Sequence, residues 1–296
     1  MILGVDIGNF ATKDNLGNRF ESKVSYIPNA MGDSKVFELD GETFFINKGE
    51  FDTTFRKIEK ENYFKLLYAS LCSVNKTPEN YIKLVVGLPL SQFKNDKNSL
   101  REKILNKGIL DGSFNDERRV FIFEDCRVYM EGIASMPINY EGIFVDIGGR
   151  TTDAGYTYIE NGKRKVDNPY SLPVGSINLY SDFIKVLNFK YGLDLKVRRA
   201  EDIITKGLFI EDKKIDLTNE MNIFKNYLDS LVSDLNVQYS LKTNHITFTG
   251  GGSLLFNKSI QRRIKHAKFS DSAVFGNANG FYQYGRSVWS EDSCKF

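Results

Sequence analysis

The tetrapeptide Val-Asp-Ile-Gly stands twice in this chain, at 5–8 and at 145–148, each time closing a short apolar run. The first run, residues 2–6, stops at Asp6-Ile7-Gly8-Asn9; the second carries Ile143-Phe144-Val145 into Asp146-Ile147-Gly148-Gly149. An apolar run that ends on a carboxylate and a glycine reads as a buried strand entering a tight turn. Turn signals follow at Leu16-Gly17-Asn18 and at Asn161-Gly162, so each place predicts a strand, a glycine turn and a returning strand. Two copies of one unit predict an internal duplication, with one half starting near residue 1 and the other near residue 141. A chance match of four residues is the alternative, and it would leave the two hairpins unrelated.

Between and after these hairpins the periodicity alternates. Phe64, Leu67, Leu71 and Val74 place one apolar face on a helix over 58–74. A β-branched run from Ile82 to Leu90 predicts a strand, residues 97–107 a helix stopped by Gly108, and residues 128–136 a short helix ahead of Pro137. Ile177, Tyr180, Ile184 and Leu187 predict a helix entered from Gly175-Ser176. Phe224, Leu228, Leu231, Leu235 and Tyr239 predict another over 219–240, followed by a strand from His245 to Thr249. Helices after strands in both halves imply an α/β architecture with helices covering the sheets.

Composition narrows the function. A chain of 296 residues with 41% hydrophobic and 26% charged residues can bury the cores of two ordinary domains. A net charge of +2 announces no basic face, so direct DNA binding is not expected. Cys72, Cys126 and Cys294 form no Cys-x-x-Cys pair and read as inert thiols in a reducing compartment. His245 and His266 lack partners at metal-ligand spacing, so a zinc site is not expected. The N-terminus is too short and uncharged before Asp6 for a secretion signal, and no run of 18 apolar residues predicts a membrane span. The expectation is a cytoplasmic protein with no membrane partner.

Three segments could carry chemistry. In Asp6-Ile-Gly-Asn-Phe-Ala-Thr-Lys13 a strand-end carboxylate can hold magnesium through its water shell. Gly8 lets backbone N–H groups face a phosphate, Asn9 and Thr12 add neutral donors, and Lys13 brings a point charge. An ordinary hairpin with a surface lysine is the alternative. Asp146-Ile-Gly-Gly-Arg-Thr-Thr-Asp153 repeats the logic, with Gly148 and Gly149 for close backbone approach and the hydroxyls of Thr151 and Thr152. Asp146 holds the position of Asp6; Asp153 reads equally well as a turn or strand residue. Third, Gly250, Gly251, Gly252 and Ser253 follow a strand and precede an apolar, helix-like stretch. Three glycines in a row exceed what a turn needs and leave room for a flat base or a ribose. No Gly-x₄-Gly-Lys-Ser/Thr loop, Gly-x-Gly-x-x-Gly fingerprint or Gly-x-Ser-x-Gly elbow is present.

The order of these segments resembles the superfold shared by actin, heat-shock chaperones and sugar kinases, and within it the bacterial plasmid-segregation actins of the ParM, StbA and Alp group. Asp6-x-Gly-Asn-x-x-Thr-Lys13 resembles that group's first phosphate hairpin and Asp146-Ile-Gly-Gly-Arg-Thr-Thr-Asp153 its second. Gly87-Leu-Pro-Leu-Ser-Gln-Phe93 resembles its strand-to-helix junction, Gly250-Gly-Gly-Ser253 its adenosine loop, and Asn279-Gly-Phe-Tyr-Gln-Tyr-Gly285 its returning terminal helix. The matches run in order from residue 6 to residue 285.

The resemblance implies an actin-like ATPase fold of two duplicated α/β halves, each with a core subdomain and a small inserted subdomain, and a nucleotide in the cleft between. The halves would be 1–140, with 272–296 returning to it and an insertion at about 31–75, and 141–271, with an insertion at about 186–224. It implies Mg²⁺ on Asp6 and Asp146, ATP or GTP and its diphosphate product on the hairpins and the glycine loop, and Glu131, in a connecting helix, orienting the attacking water. Arg150 departs from the small residue usual there and reads as a phosphate contact or as solvent-facing. The implied function is a filament that assembles with Mg-nucleotide, hydrolyses it to disassemble, and segregates plasmid DNA through a DNA-bound adaptor protein. A small-molecule kinase of the same superfold and a monomeric nucleotide-switched module are the competing functions. Asp146-Ile-Gly-Gly lacks the Gly-Thr-Gly-Ser expected of the first, and no residues remain for the second's substrate domain.

Overall fold

The computed structural model describes residues 1–28, 32, 35–52, 54–74, 77–271 and 273–291. Its chain divides into two compact units, Met1–Tyr140 with Ser270–Phe296, and Glu141–Phe269. Cys294 lies outside the described residues, as do residues 31, 33–34, 53 and 75 of the expected first insertion.

In the first unit the chain runs through β1 (Ile2–Ile7), β2 (Ala11–Asp14), β3 (Arg19–Glu21), β4 (Lys23–Ser25), β5 (Phe37–Leu39) and β6 (Glu42–Phe51). Helix α1 (Tyr63–Val74), β7 (Glu79–Leu88), α2 (Leu90–Lys107), β8 (Ile109–Phe114) and β9 (Glu117–Met130) follow. Among the described residues these strands make one nine-stranded sheet in the order β3-β2-β1-β7-β9-β8-β5-β6-β4. The β1–β2 hairpin is antiparallel, whereas β1–β7 and β7–β9 are parallel. Parallel neighbours need helical crossovers, and α1 and α2 are those crossovers. The core is formed by Leu3, Val5 and Ile7 of β1 with Leu67 and Leu71 of α1 and Leu84 and Val86 of β7. Buried Cys72 and Cys126 have their thiol pKa pushed up to about 12 by burial, so both are protonated at neutral pH.

Expectation and structure part at residues 128–136. The chain stays extended to Met130, because Gly87 and Leu88 of β7 hold Tyr129 and Met130 in the parallel ladder. Gly132 then turns at φ 75° into one 3-10 turn, Ile133–Ser135, and Pro137 follows. Glu131 therefore sits in the turn that ends β9, not on a helix.

The second unit is built from β10 (Gly142–Ile147), β11 (Thr152–Glu160), β12 (Lys163–Leu172), α3 (Ser176–Tyr191), α4 (Ala200–Lys206), β13 (Phe209–Ile210), β14 (Lys213–Lys214), α5 (Asn222–Gln238), β15 (Ile246–Thr249), α6 (Gly251–Arg263) and β16 (Lys268–Phe269). Its main sheet has the order β12-β11-β10-β15-β16, with β10–β11 antiparallel and β10–β15 parallel. Ile143, Val145 and Ile147 of β10 share a core with Phe183 of α3, Leu231 of α5 and Phe256 of α6. The last helix, α7 (Gly276–Glu291), belongs to the first unit, where Phe281 packs on Val85 and Ala134.

The two hairpins share one register. Val5 faces Asp14, Asp6 faces Lys13 and Ile7 faces Thr12; Val145 faces Ala154, Asp146 faces Asp153 and Ile147 faces Thr152. Each hairpin also has a parallel strand beside its first member, β7 in one unit and β15 in the other. The repeated tetrapeptide thus marks a repeated piece of architecture.

Candidate functional site

Asp6 ends β1 almost fully buried, with Lys13 directly across the hairpin and its Nζ 3.4 Å from Asp6 Oδ2. Gly8 opens the turn, and Asn9 Oδ1 is shielded from solvent in it without a hydrogen-bond partner. Thr12 corrects the sequence reading. Strand alternation puts it opposite Ile7, on the face away from the Asp6–Lys13 pair, where it is fully buried and its hydroxyl shares a 3.0 Å hydrogen bond with Ser22. Its side chain packs within the sheet.

A lysine that no motif announced completes this site. Lys57 is 2% exposed and its ammonium donates to Glu131 Oε1 and, at 3.3 Å, to the Gly87 carbonyl. It also lies 3.6 Å from Asp6 Oδ1. The expected metal residue and the expected water-orienting residue are therefore brought together on one buried cation. Burial opposes the charge of Asp6, but Lys13 and Lys57 outweigh it and hold its pKa below the ordinary carboxylate value. Burial likewise opposes the charge of Lys57, and Glu131 and Asp6 more than offset it, raising its pKa. The neighbouring Tyr63 phenol, buried and without a hydrogen-bond partner, is pushed well above its ordinary pKa by burial and by the charges of Glu131 and Asp6.

In the second unit Asp146 ends β10, buried, beside Thr249 of β15. The turn closes with Gly148 N–H donating to the Thr151 carbonyl at 2.9 Å. The carbonyls of Gly148 and Gly149 accept from Ser176 and Ile177 at 3.0 and 2.8 Å, which seats the turn on the first residues of α3. Thr151 Oγ1 donates to Asp153 Oδ2 at 2.9 Å, so Asp153 braces the turn, and Thr152 is fully buried against Val174 and Tyr227.

The three glycines differ in what they do. A methyl at Gly250, whose φ is 81°, would come 2.2 Å from Asp146 Oδ1, and one at Gly252 2.3 Å from Ile147 Cγ2. The protein itself needs both, because the loop lies against the end of β10. At Gly251 a methyl would meet nothing within 4 Å. It begins α6, so its bare backbone is an exposed cradle at a helix N-terminus. Ser253, expected as a ligand contact, is buried and donates its hydroxyl to the Gly250 carbonyl at 2.7 Å, which holds the loop's shape.

In the first unit the acceptors at the end of β1 suit a magnesium ion that keeps most of its waters, since Asp6 Oδ1 and Asn9 Oδ1 are buried without a hydrogen bond, the chemistry that metal-bound waters satisfy. In the second unit, taken by itself, Thr249 Oγ1 is likewise buried without a hydrogen bond. Among the described residues no helix is long and apolar enough to cross a membrane.

Comparison with known proteins agrees with this fold. Residues 4–133 match the family described as actin like proteins N terminal domain, and residues 144–262 the family described as archaeal actin homologue MreB-like, C-terminal. No curated protein matches the sequence. Among solved structures, the archaeal actin homolog Ta0583 in complex with ADP superposes with a TM-score of 0.79 at 17% identity, covering 97% of this chain and 99% of its own. A ParM from a 15-stranded filament of Clostridium botulinum gives 0.76 at 18% identity, with 97% and 99% covered. The actin-like protein Alp7A gives 0.75 at 16% identity, with 99% and 97% covered.

Proposed function

Because the chain is an actin-like protein in both of its halves, we propose that it is a filament-forming nucleoside triphosphatase that assembles with Mg-nucleotide and disassembles after hydrolysis. The observation that carries this reading is the pair of hairpins in one register, each ending its first strand on a buried aspartate at a glycine turn. In this reading Asp6 and Asp146 hold the ion through its waters. The hairpin amides at Gly8, Asn9, Gly149 and Thr151 and the Lys13 ammonium take the phosphates, and Gly148, whose own N–H closes the turn, lets them come close to the backbone. Bound magnesium would neutralise charge developing on the phosphates. Gly251 gives the ribose or base access to backbone. Glu131, at the end of β9, orients the attacking water, and its contact with Lys57 holds the carboxylate in place for that task.

The solved relatives support the finer points by likeness of fold: one binds ADP and another is a filament of ParM. The filament would work in the cytoplasm on plasmid DNA through a DNA-bound adaptor, consistent with the near-neutral charge of this chain. ATP and GTP are both candidates for the nucleotide. Sedimentation and negative-stain microscopy with Mg-ATP, Mg-GTP and no nucleotide test the proposal. Filaments that require nucleotide support it. A protein that stays monomeric with each nucleotide yet phosphorylates a small hydroxyl compound would be a kinase instead.

A further inference from the structure

Lys57 does not reach the strand ends by chance of a long side chain, because the segment that carries it is pinned to α2 from three directions. Gln92 accepts from the Lys57 backbone N–H at 2.9 Å and donates to the Phe55 carbonyl at 2.8 Å. Asp96, one turn on, takes both Nη2 and Nε of Arg56, at 2.6 and 3.2 Å. Lys103 donates to the Ile58 carbonyl at 2.6 Å. Gln92 and Asp96 are nearly fully buried, so α2 spends part of its inward face on polar contacts that serve only to hold residues 55–58. The ammonium so delivered touches two carboxylates unequally. Glu131 and the Gly87 carbonyl receive hydrogen bonds, whereas Asp6 Oδ1, at 3.6 Å, is close enough to feel the charge but keeps a vacant lone pair.

We propose that Lys57 is a positioning residue: a tethered internal cation that fixes Glu131 beside the Asp6 strand end and competes with a divalent cation for the charge of that pair. The proposal rests on the nucleotide reading of Asp6 and Glu131 and says how their site is kept in order before nucleotide arrives. The other charged group at Asp6 is Lys13, on Oδ2, so Oδ1 is the oxygen left to a metal-bound water. The Lys57 side chain is buried, with its backbone held by Gln92 and its ammonium by Glu131 and the Gly87 carbonyl. Its charge therefore opposes any second cation at that oxygen, and the closeness of the ammonium to Glu131 limits where that carboxylate can point.

The test uses the full chain and Mg²⁺ alone, without nucleotide. Lys57→Met keeps the length and removes the charge. It should melt lower than wild type in metal-free buffer and bind Mg²⁺ at least about tenfold tighter, since one unit charge at ion-pair distance in protein is worth that much or more. Its melting temperature should therefore climb further with added Mg²⁺ than that of wild type. Lys57→Arg, which keeps the charge, should respond to Mg²⁺ as wild type does. A Lys57→Met protein with the wild-type Mg²⁺ response overturns the proposal. If that variant does not fold, Lys57→Met is made in a Glu131→Gln background. A much smaller loss of stability there than in wild type supports the proposal, and an undiminished loss overturns it. Wild-type protein that binds no Mg-nucleotide would instead sink the nucleotide reading, a separate result from the Mg²⁺ comparison.

Discussion

Asp6 carries two duties. It is the strand-end carboxylate assigned to magnesium, and it is also a buried anion with Lys13 and Lys57 against it. Asp6→Ala should therefore abolish Mg-nucleotide binding and also lower the unfolding free energy of the nucleotide-free protein by about 2–3 kcal/mol, the range for removing a charged hydrogen-bond partner from a buried group. Calorimetric titration and urea unfolding of the one variant measure the two effects. A variant as stable as wild type would show that the lysines do not lean on Asp6. Gly251 should behave in the opposite way. Its added methyl meets nothing, so Gly251→Val should melt within about 0.5 kcal/mol of wild type while nucleotide affinity drops. Gly252→Ala, which drives a methyl into Ile147, should lower stability first. Unchanged nucleotide affinity in Gly251→Val would remove that residue from the site. The sequence made Asp6, Gly8 and Lys13 readable because one hairpin holds them within eight residues. It misplaced Thr12 because the alternation of β2 sends that side chain to the other face. It hid Lys57 because its partner Glu131 lies 74 residues away and neither stands in a recognisable motif on its own.

At the scale of elements, α7 is bound to the first unit by close backbone approach and by polar contacts, among them Asn277 Oδ1, which accepts from the Gly132 N–H and the Ser135 hydroxyl at 2.9 Å. A methyl at Gly280 would lie 1.8 Å from the Ala134 carbonyl, and Trp289 Nε1 donates to Asp125 Oδ2 at 3.0 Å. Trp289 is the chain's single tryptophan, so its fluorescence reports on the docking of this helix. Gly280→Ala should force α7 outward, cost about 1–3 kcal/mol, and shift that fluorescence before the rest of the unit unfolds. Burial opposes the charge of Asp125, yet the donors from Trp289 and Arg101 win and hold its pKa below the ordinary carboxylate value. A depressed pKa contributes stability that is fully present above the unfolded value and is lost as pH falls through the folded one. The Trp289-monitored urea midpoint should thus fall on the acid side, and Asp125→Asn should flatten that fall while lowering the midpoint at neutral pH. An acid limb unchanged in Asp125→Asn would clear this carboxylate. Strong periodicity made α5 legible, since five apolar residues on one face leave no competing reading, and the stop at Gly108 marked the end of α2. Residues 128–136 read as a short helix from their local pattern, and pairing with β7 kept the chain extended to Met130.

For the molecule as a whole, the proposed scheme has each unit contribute one of the duplicated hairpins to nucleotide binding. Glu131 separates binding from turnover in that scheme. It lies at the end of β9, its backbone N–H donating to the Leu88 carbonyl at 2.9 Å and its carboxylate on Lys57, so its side chain is placed by the first unit alone. Phosphoryl transfer to water depends on positioning and electrostatics, and loss of a group that orients or activates the water typically costs about 10²–10⁴-fold in rate. Glu131→Gln keeps the shape and a hydrogen-bond acceptor for Lys57 but removes the charge that would draw the proton of the attacking water. It should still bind Mg-nucleotide and assemble, because the two phosphate hairpins themselves are unchanged. Phosphate release should then slow by about 10²-fold or more, and filaments should outlive those of wild type in proportion. Phosphate release and light scattering, followed together on one sample, give both numbers. Wild-type release would remove Glu131 from the chemistry even if filaments form. Slow release with filaments of wild-type lifetime would break the link between hydrolysis and disassembly and leave assembly governed by binding alone.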